Sequence, residues 1–176
     1  EQPAPPPPPR WVFETLPPWE KLEEGLQLGL FSAQFDGGDP FEVVFLRIDP
    51  AYFDFTVETA SSEKQSLPLE AWATRKGLIA ATNASMYLPD GVTSTGYLRT
   101  GETVNNGRVV SKFGAFFVAG PDSPDLPGAD LLDRSTDDWE NLLPHYSMVV
   151  QNYRMISADR VCSGSRRPEA LHFRRG

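Results

Sequence analysis

Residues 78–106 read LIAATNASMYLPDGVTSTGYLRTGETVNN. An apolar run at 78–81 stops at a small polar cluster, Thr82-Asn83-Ala84-Ser85. A turn follows at Pro89-Asp90-Gly91, and a pair of asparagines, Asn105-Asn106, closes the stretch. The run 78–81 reads as a short buried strand bounded by polar turn residues. STGYLRTGETV reads as a hairpin about Thr100-Gly101, and Asn106-Gly107 is the strongest short turn signal in the chain.

The flanking sequence fits strands more than helices. SLPLEAWATRKG (66–77) is the clearest helix: Pro68 suits its first turn, Arg75 and Lys76 suit its negative end, and Gly77 suits the position just past it. Upstream, FEVVFLRID (41–49) is rich in β-branched and aromatic residues and reads as a strand. FDFTVETA (53–60) alternates apolar and polar, which predicts a half-buried strand paired antiparallel with 41–49 through Pro50-Ala51-Tyr52. A further strand is predicted near 26–35, preceded by a loop or short turn broken by Pro17 and Pro18. Downstream, KFGAFFVAG (112–120) and SMVVQNYRMI (147–156) read as strands and PDSPDLPG (121–128) as loop. A short helix is predicted over 136–143, with Ser135 as its cap, acidic residues at its positive end and Pro144 ending it. The fold class is α+β, with a mixed, mostly antiparallel sheet and a few short helices.

The chain has 176 residues, 40% of them hydrophobic, including eleven Phe and four Trp, enough for a real core. Its net charge of −8 argues against general nucleic-acid binding. The acidic excess lies before a C-terminal segment carrying Arg154, Arg160, Arg166, Arg167, Arg174 and Arg175. The single cysteine, Cys162, excludes an intramolecular disulfide, and no nearby histidine offers it a base. The two histidines, His145 and His172, are far apart, so no metal-ligand spacing is present and no cofactor or metal is implied. No apolar run approaches the ~20 residues needed to span a bilayer. The opening, EQPAPPPPPRW, resembles a mature N-terminus left by signal-peptide removal, followed by a polyproline spacer. Export to the periplasm or cell exterior is the expectation, though a chain trimmed in another way reads alike.

Polar residues at strand ends are where chemistry is expected, because the strand is rigid and the loop beyond it varies. Asn83 is also an ordinary turn residue, and Asn83-Ala84-Ser85 matches a glycosylation sequon. Asn105 and Asn106 read equally well as a hairpin turn. Gln151, Asn152 and Arg154 interrupt an apolar strand, either as a polar edge or as a buried group needing partners. Asp90 is plain turn chemistry or a carboxylate placed beside the site. Amides pair with sugar hydroxyls, and an arginine neutralises phosphate. The residues therefore suit a sugar or a phosphorylated sugar.

Several blocks carry a resemblance to the phosphodiester glycosidase domain family. Residues 80–87 (AATNASMY) resemble the family's AAINAGMF, residues 96–101 (GYLRTG) its GYLRNG, and residues 104–106 its VNNP. The resemblance runs back through FLRIDPAYFDFTVETASSE and forward through KFGAFFVAG, LLDRSTDDWENLLPHY and VVQNYRMIS, covering roughly 20–157. It implies hydrolysis of a sugar-1-phosphodiester, with Asn83, Asp90 and Arg154 as catalytic candidates. Asn105, Asn106, Gln151 and Asn152 would bind substrate, and the partner would be a phosphodiester-linked glycan. Ser85 stands where the family usually has glycine. After Ser157 the sequence ADRVCSGSRRPEALHFRRG departs from the family, whose members continue with an Arg-centred strand and a glycine-rich loop. The organisation expected is a Pro-rich arm at 1–19, an incomplete glycosidase-like domain at 20–157 and an off-family tail at 158–176. Catalysis would then be impaired, and an unpaired edge at 147–156 would invite self-association. The rival expectation is an exported carbohydrate-binding or cell-envelope domain without catalysis.

Overall fold

A computed structural model describes residues 11–13, 19–60 and 66–155. The Pro-rich stretch within 1–10, the tail 158–176 and Cys162 lie outside them. The chain divides into two compact units at Phe53/Asp54. Among the described residues every strand pairing is antiparallel, so the α+β class holds and no parallel pair mixes into it.

The first unit is built on one long strand. β3 (Leu26–Phe35) pairs along its length with β4 (Phe41–Ile48), from Leu26↔Ile48 to Ala33↔Phe41. Two short strands share its other edge: β2 (Glu20–Glu23) against Leu26–Leu28 and β1 (Trp11–Phe13) against Ala33–Phe35. β1 lies in the stretch read as an arm, and β2 in the stretch read as a loop. At three and four residues both are too short to be legible before β3 offers them an edge. Phe31 is buried edge-on between Trp19 and Phe45, with ring centroids 5.6 and 4.9 Å away. The Arg47 guanidinium covers Trp19 at 4.2 Å, a cation–π contact.

The second unit holds a five-stranded sheet in the order β6-β5-β9-β7-β8. These strands are β5 (Leu98–Thr100), β6 (Thr103–Asn106), β7 (Ala115–Pro121), β8 (Ala129–Asp133) and β9 (Tyr146–Asn152). The hairpin about Thr100-Gly101 forms as predicted, with Gly101 at φ 54°. Both faces of the sheet are covered. Phe116, Val118, Leu132, Leu143, Tyr146 and Val149 pack together in one cluster. Val57, Leu98, Ala119, Met148 and Val150 form another. A strand buried on both faces reads as a continuous apolar run, which is why 148–150 reads so.

Four expectations are corrected. The predicted unpaired edge at 147–156 is instead the centre of the sheet, because β5 and β7 take both edges of β9. Residues 53–59 form no strand, and β4 pairs with β3 instead. The alternation at 55 and 57 is nevertheless real in burial, since Val57 enters the core and Phe55 packs edge-on against Phe117 at 5.4 Å. Residues 78–81 form no strand either: Ile79 is 64% exposed. The short helix starts at Trp139, three residues later than predicted, and Ser135 does not cap it. Helix α1 (Leu69–Lys76) matches its signals, with Gly77 left-handed at φ 64° donating back to the last turn. After α2 (Trp139–Leu142) a single 3₁₀ turn, Leu143–His145, leads into β9.

Among the described residues β4 is paired on one side only. It carries no proline, lysine or bulge, and Phe41, Val44, Phe45 and Leu46 are exposed, the features that let edges pair between molecules. Light scattering at rising concentration is expected to show self-association that V44K reduces. A concentration-independent monomer would refute this.

Candidate functional site

The sequence-predicted amides cluster at one end of the five-stranded sheet. The segment beginning at Met86 folds back on itself. Leu88 N donates to Thr93 O at 2.8 Å, Thr95 N donates to Met86 O at 2.9 Å, and Tyr87 bridges Ser94. Asp90 makes the turn. Its Oδ1 accepts from Val92 N and Thr93 N at 3.0 and 2.9 Å, and its Oδ2 accepts from Thr93 Oγ1 at 2.5 Å. These hydrogen bonds, from Thr93 first, hold its pKa below the usual carboxylate value.

Ser94, 1% exposed, is the centre of the arrangement. Its N–H donates to Asn105 Oδ1 at 2.7 Å, and its carbonyl accepts from Asn106 Nδ2 at 2.6 Å. Its hydroxyl lies 2.8 Å from Ser85 Oγ and accepts from Gly96 N at 3.3 Å. Asn105 Nδ2 also donates to Val92 O at 3.0 Å. Asn106 ends β6 and accepts from Arg108 N at 2.9 Å. Gly107 is absent from the left-handed residues, so the expected Asn-Gly hairpin turn does not form.

Gln151 lies behind this loop with no exposure at all. Its Oε1 accepts from Tyr97 N and Val110 N at 3.2 and 2.9 Å. Its Nε2 donates to Val110 O and Phe113 O at 2.9 and 3.1 Å. All four bonds the amide can make are thereby made. Gly96 is required beside it: a Cβ there would meet Phe113 Cδ2 at 2.8 Å and Gln151 O at 3.0 Å. Asn152 Nδ2 donates to Ala84 O at 3.2 Å. Asn105, Asn106, Gln151 and Asn152 therefore hold backbone, and Asn83, next to Ala84, stays exposed.

Arg154 pairs with a carboxylate. Its Nη1 donates to both oxygens of Asp133 at 2.8 Å and to Ser135 Oγ at 2.6 Å. Ser135 in turn donates its hydroxyl to Asp133 at 2.7 Å. Burial alone would raise the Asp133 pKa, but the hydrogen bonds from Ser135 and the Arg154 charge outweigh it and lower it. Sequence reasoning missed Asp133, at the end of β8, and Ser94, hidden in a run of small turn residues. It also missed two further arginines. Arg134 Nη1 donates to the carbonyls of Val110, Ser111 and Phe113. Arg99 Nη2 donates to those of Leu143 and Tyr146. Neither role has a local sequence signal, because the acceptors lie 21 to 47 residues away.

Among the described residues no group of three His, Cys, Asp or Glu side chains is placed to hold a metal ion. No family model, curated protein or solved structure matches the chain.

Two outcomes follow from this geometry. Q151L would leave the N–H groups of Tyr97 and Val110 without their acceptor, while the carbonyls of Val110 and Phe113 keep Arg134, and is expected to cost about 2 kcal/mol or more in a urea melt. A loss below ~1 kcal/mol would show that the loop is held by something else. Asp133 supplies stability that is complete above the ordinary aspartate pKa of about 3.9 and is lost as pH falls through its lowered folded value. Asp90 acts in the same window. D133N should therefore flatten part, not all, of the acid-side fall in melting temperature; an unchanged profile would contradict the ion pair's role.

Proposed function

We propose that this chain recognises a sugar-1-phosphodiester at the polar end of the five-stranded sheet and acts on it as a phosphodiester glycosidase. The observation that carries the reading is the pinned loop. Asn105, Asn106, Gln151 and Asn152 fix residues 84–97 against the sheet, and the fixed loop leaves Asn83 open at its start. A preorganised amide is what sugar hydroxyls need, because the ordering cost is met on folding. In this reading Asn83 touches substrate and the other amides are positioning residues. The reaction breaks the bond between the anomeric carbon and the phosphate oxygen. Water adds to the carbon, and a phosphomonoester departs.

A second reading, binding without efficient hydrolysis, is favoured by two observations. Asp90 accepts three hydrogen bonds and has a lowered pKa, so it is a poor general acid, whose pKa should lie near the working pH. Arg154 is already neutralised by Asp133 and would have to exchange partners to meet a phosphate.

Titration with a pyranose-1-phosphodiester, followed by release of a chromogenic leaving group, tests the proposal. The wild-type chain is expected to bind and to turn over slowly. N83A should weaken binding about tenfold, the worth of one or two hydrogen bonds, without shifting the melting temperature. D90N should leave kcat within about twofold, since Asp90 serves the turn. Absence of binding by the wild-type chain would sink the proposal.

A further inference from the structure

We infer that Tyr153 and Lys112 form a sugar-phosphate subsite beside the pinned loop, with the Tyr153 ring taking the sugar and the Lys112 ammonium the phosphate. The inference rests on the proposed recognition of a sugar-1-phosphodiester and gives it a location. Neither residue belongs to the predicted amide set.

Tyr153 directly follows Asn152, whose side chain holds Ala84 next to Asn83. Tyr153 N donates to Asn152 Oδ1 at 2.8 Å, which fixes the backbone from which the ring projects. The ring stands edge-on to Phe113, with centroids 4.7 Å apart at 78°. Phe113 is 1% exposed, and its carbonyl accepts from Gln151 Nε2 and Arg134 Nη1. The support beneath Tyr153 is therefore rigid, while Tyr153 itself is 45% exposed. A large aromatic left open on a fixed base offers a flat apolar platform with a polar tip. The C–H-bearing face of a pyranose is complementary to such a surface.

Lys112 supplies the charge. Its Nζ lies 5.3 Å from the centroid of the Phe113 ring and 5.9 Å from that of Tyr153, within cation–π range of both. Arg99, Arg134 and Arg154 are held by carbonyls or by Asp133. Among the described residues no carboxylate pairs with Lys112. Its ammonium keeps three donors for an anion, and lysine binds phosphate as a point charge. A ligand joining a sugar to a phosphate would meet ring and charge together.

The test compares three probes by NMR or calorimetric titration on the full chain: a pyranose-1-(methyl phosphate), the matching methyl pyranoside and dimethyl phosphate. K112Q is expected to weaken the sugar phosphodiester about tenfold and to leave the pyranoside unchanged, while K112R retains binding. Y153A should weaken both sugar probes, and Y153F should restore them. Melting temperatures should move little for K112Q, K112R and Y153F, whereas Y153A gives up the edge contact with Phe113 and its melting temperature should fall by a few degrees. If the wild-type chain binds the diester in an Asn83-dependent manner, but K112Q and Y153A bind it within twofold of wild type, the subsite is overturned and the proposed function survives. If the wild-type chain binds no diester, both fall.

Discussion

The Gln151 side chain is a neutral amide with no solvent contact, and it satisfies four backbone groups drawn from two loops. Those groups belong to residues 97, 110 and 113, which no regular ladder could pair at that depth. A buried N–H or carbonyl left unmet costs about 1–3 kcal/mol, so one amide decides whether two loops can close over the sheet. Burial on this scale also explains why Gly96 has no side chain. The loop passes so close to Phe113 and the β9 backbone that a Cβ has no room.

A second layer depends on the first. Once residues 96–97 are seated, Ser94 falls within reach of Asn105 and Asn106 on β6, and Ala84 within reach of Asn152 on β9. Ser85 joins through its hydroxyl to Ser94. Serine at position 85 is thus met by a polar neighbour. Arg134 and Arg154 work on the other flank. Arg134 ties residues 110–113 to the segment after β8, and Arg154 ties the segment after β9 to Asp133 at the end of β8. Four amides and two arginines, all polar enough to suggest ligand contacts, serve as internal clasps. The groups left facing outward at this end include Asn83, Lys112 and Tyr153, and the functional proposal turns on them.

Much of the local structure was legible because its causes are local. Pro68, Arg75, Lys76 and Gly77 mark helix α1 within one turn of its ends. Thr100-Gly101 marks a hairpin whose strands are adjacent in sequence. The run at 41–49 announced β4 through its β-branched and aromatic content, and β3 lies where a strand was expected near 26–35. The failures share a cause as well. The alternating segment around Phe55 and Val57 buries its apolar side as expected but makes no ladder, since periodicity reports burial and not pairing. The apolar run at 78–81 has the composition of a strand and is exposed.

The site divides along the same line. The sequence alone marked amides at strand ends and the hairpin about Thr100-Gly101 between them. Only the tertiary structure decided what each polar group does. Gln151 meets Tyr97 and Val110 across 54 and 41 residues, and Asn152 meets Ala84 across 68. An amide has the same donors and acceptors whether it faces a sugar or a backbone carbonyl. Its role is set by which groups packing brings within about 3 Å, and packing of segments so far apart is not written in the spacing of any one of them.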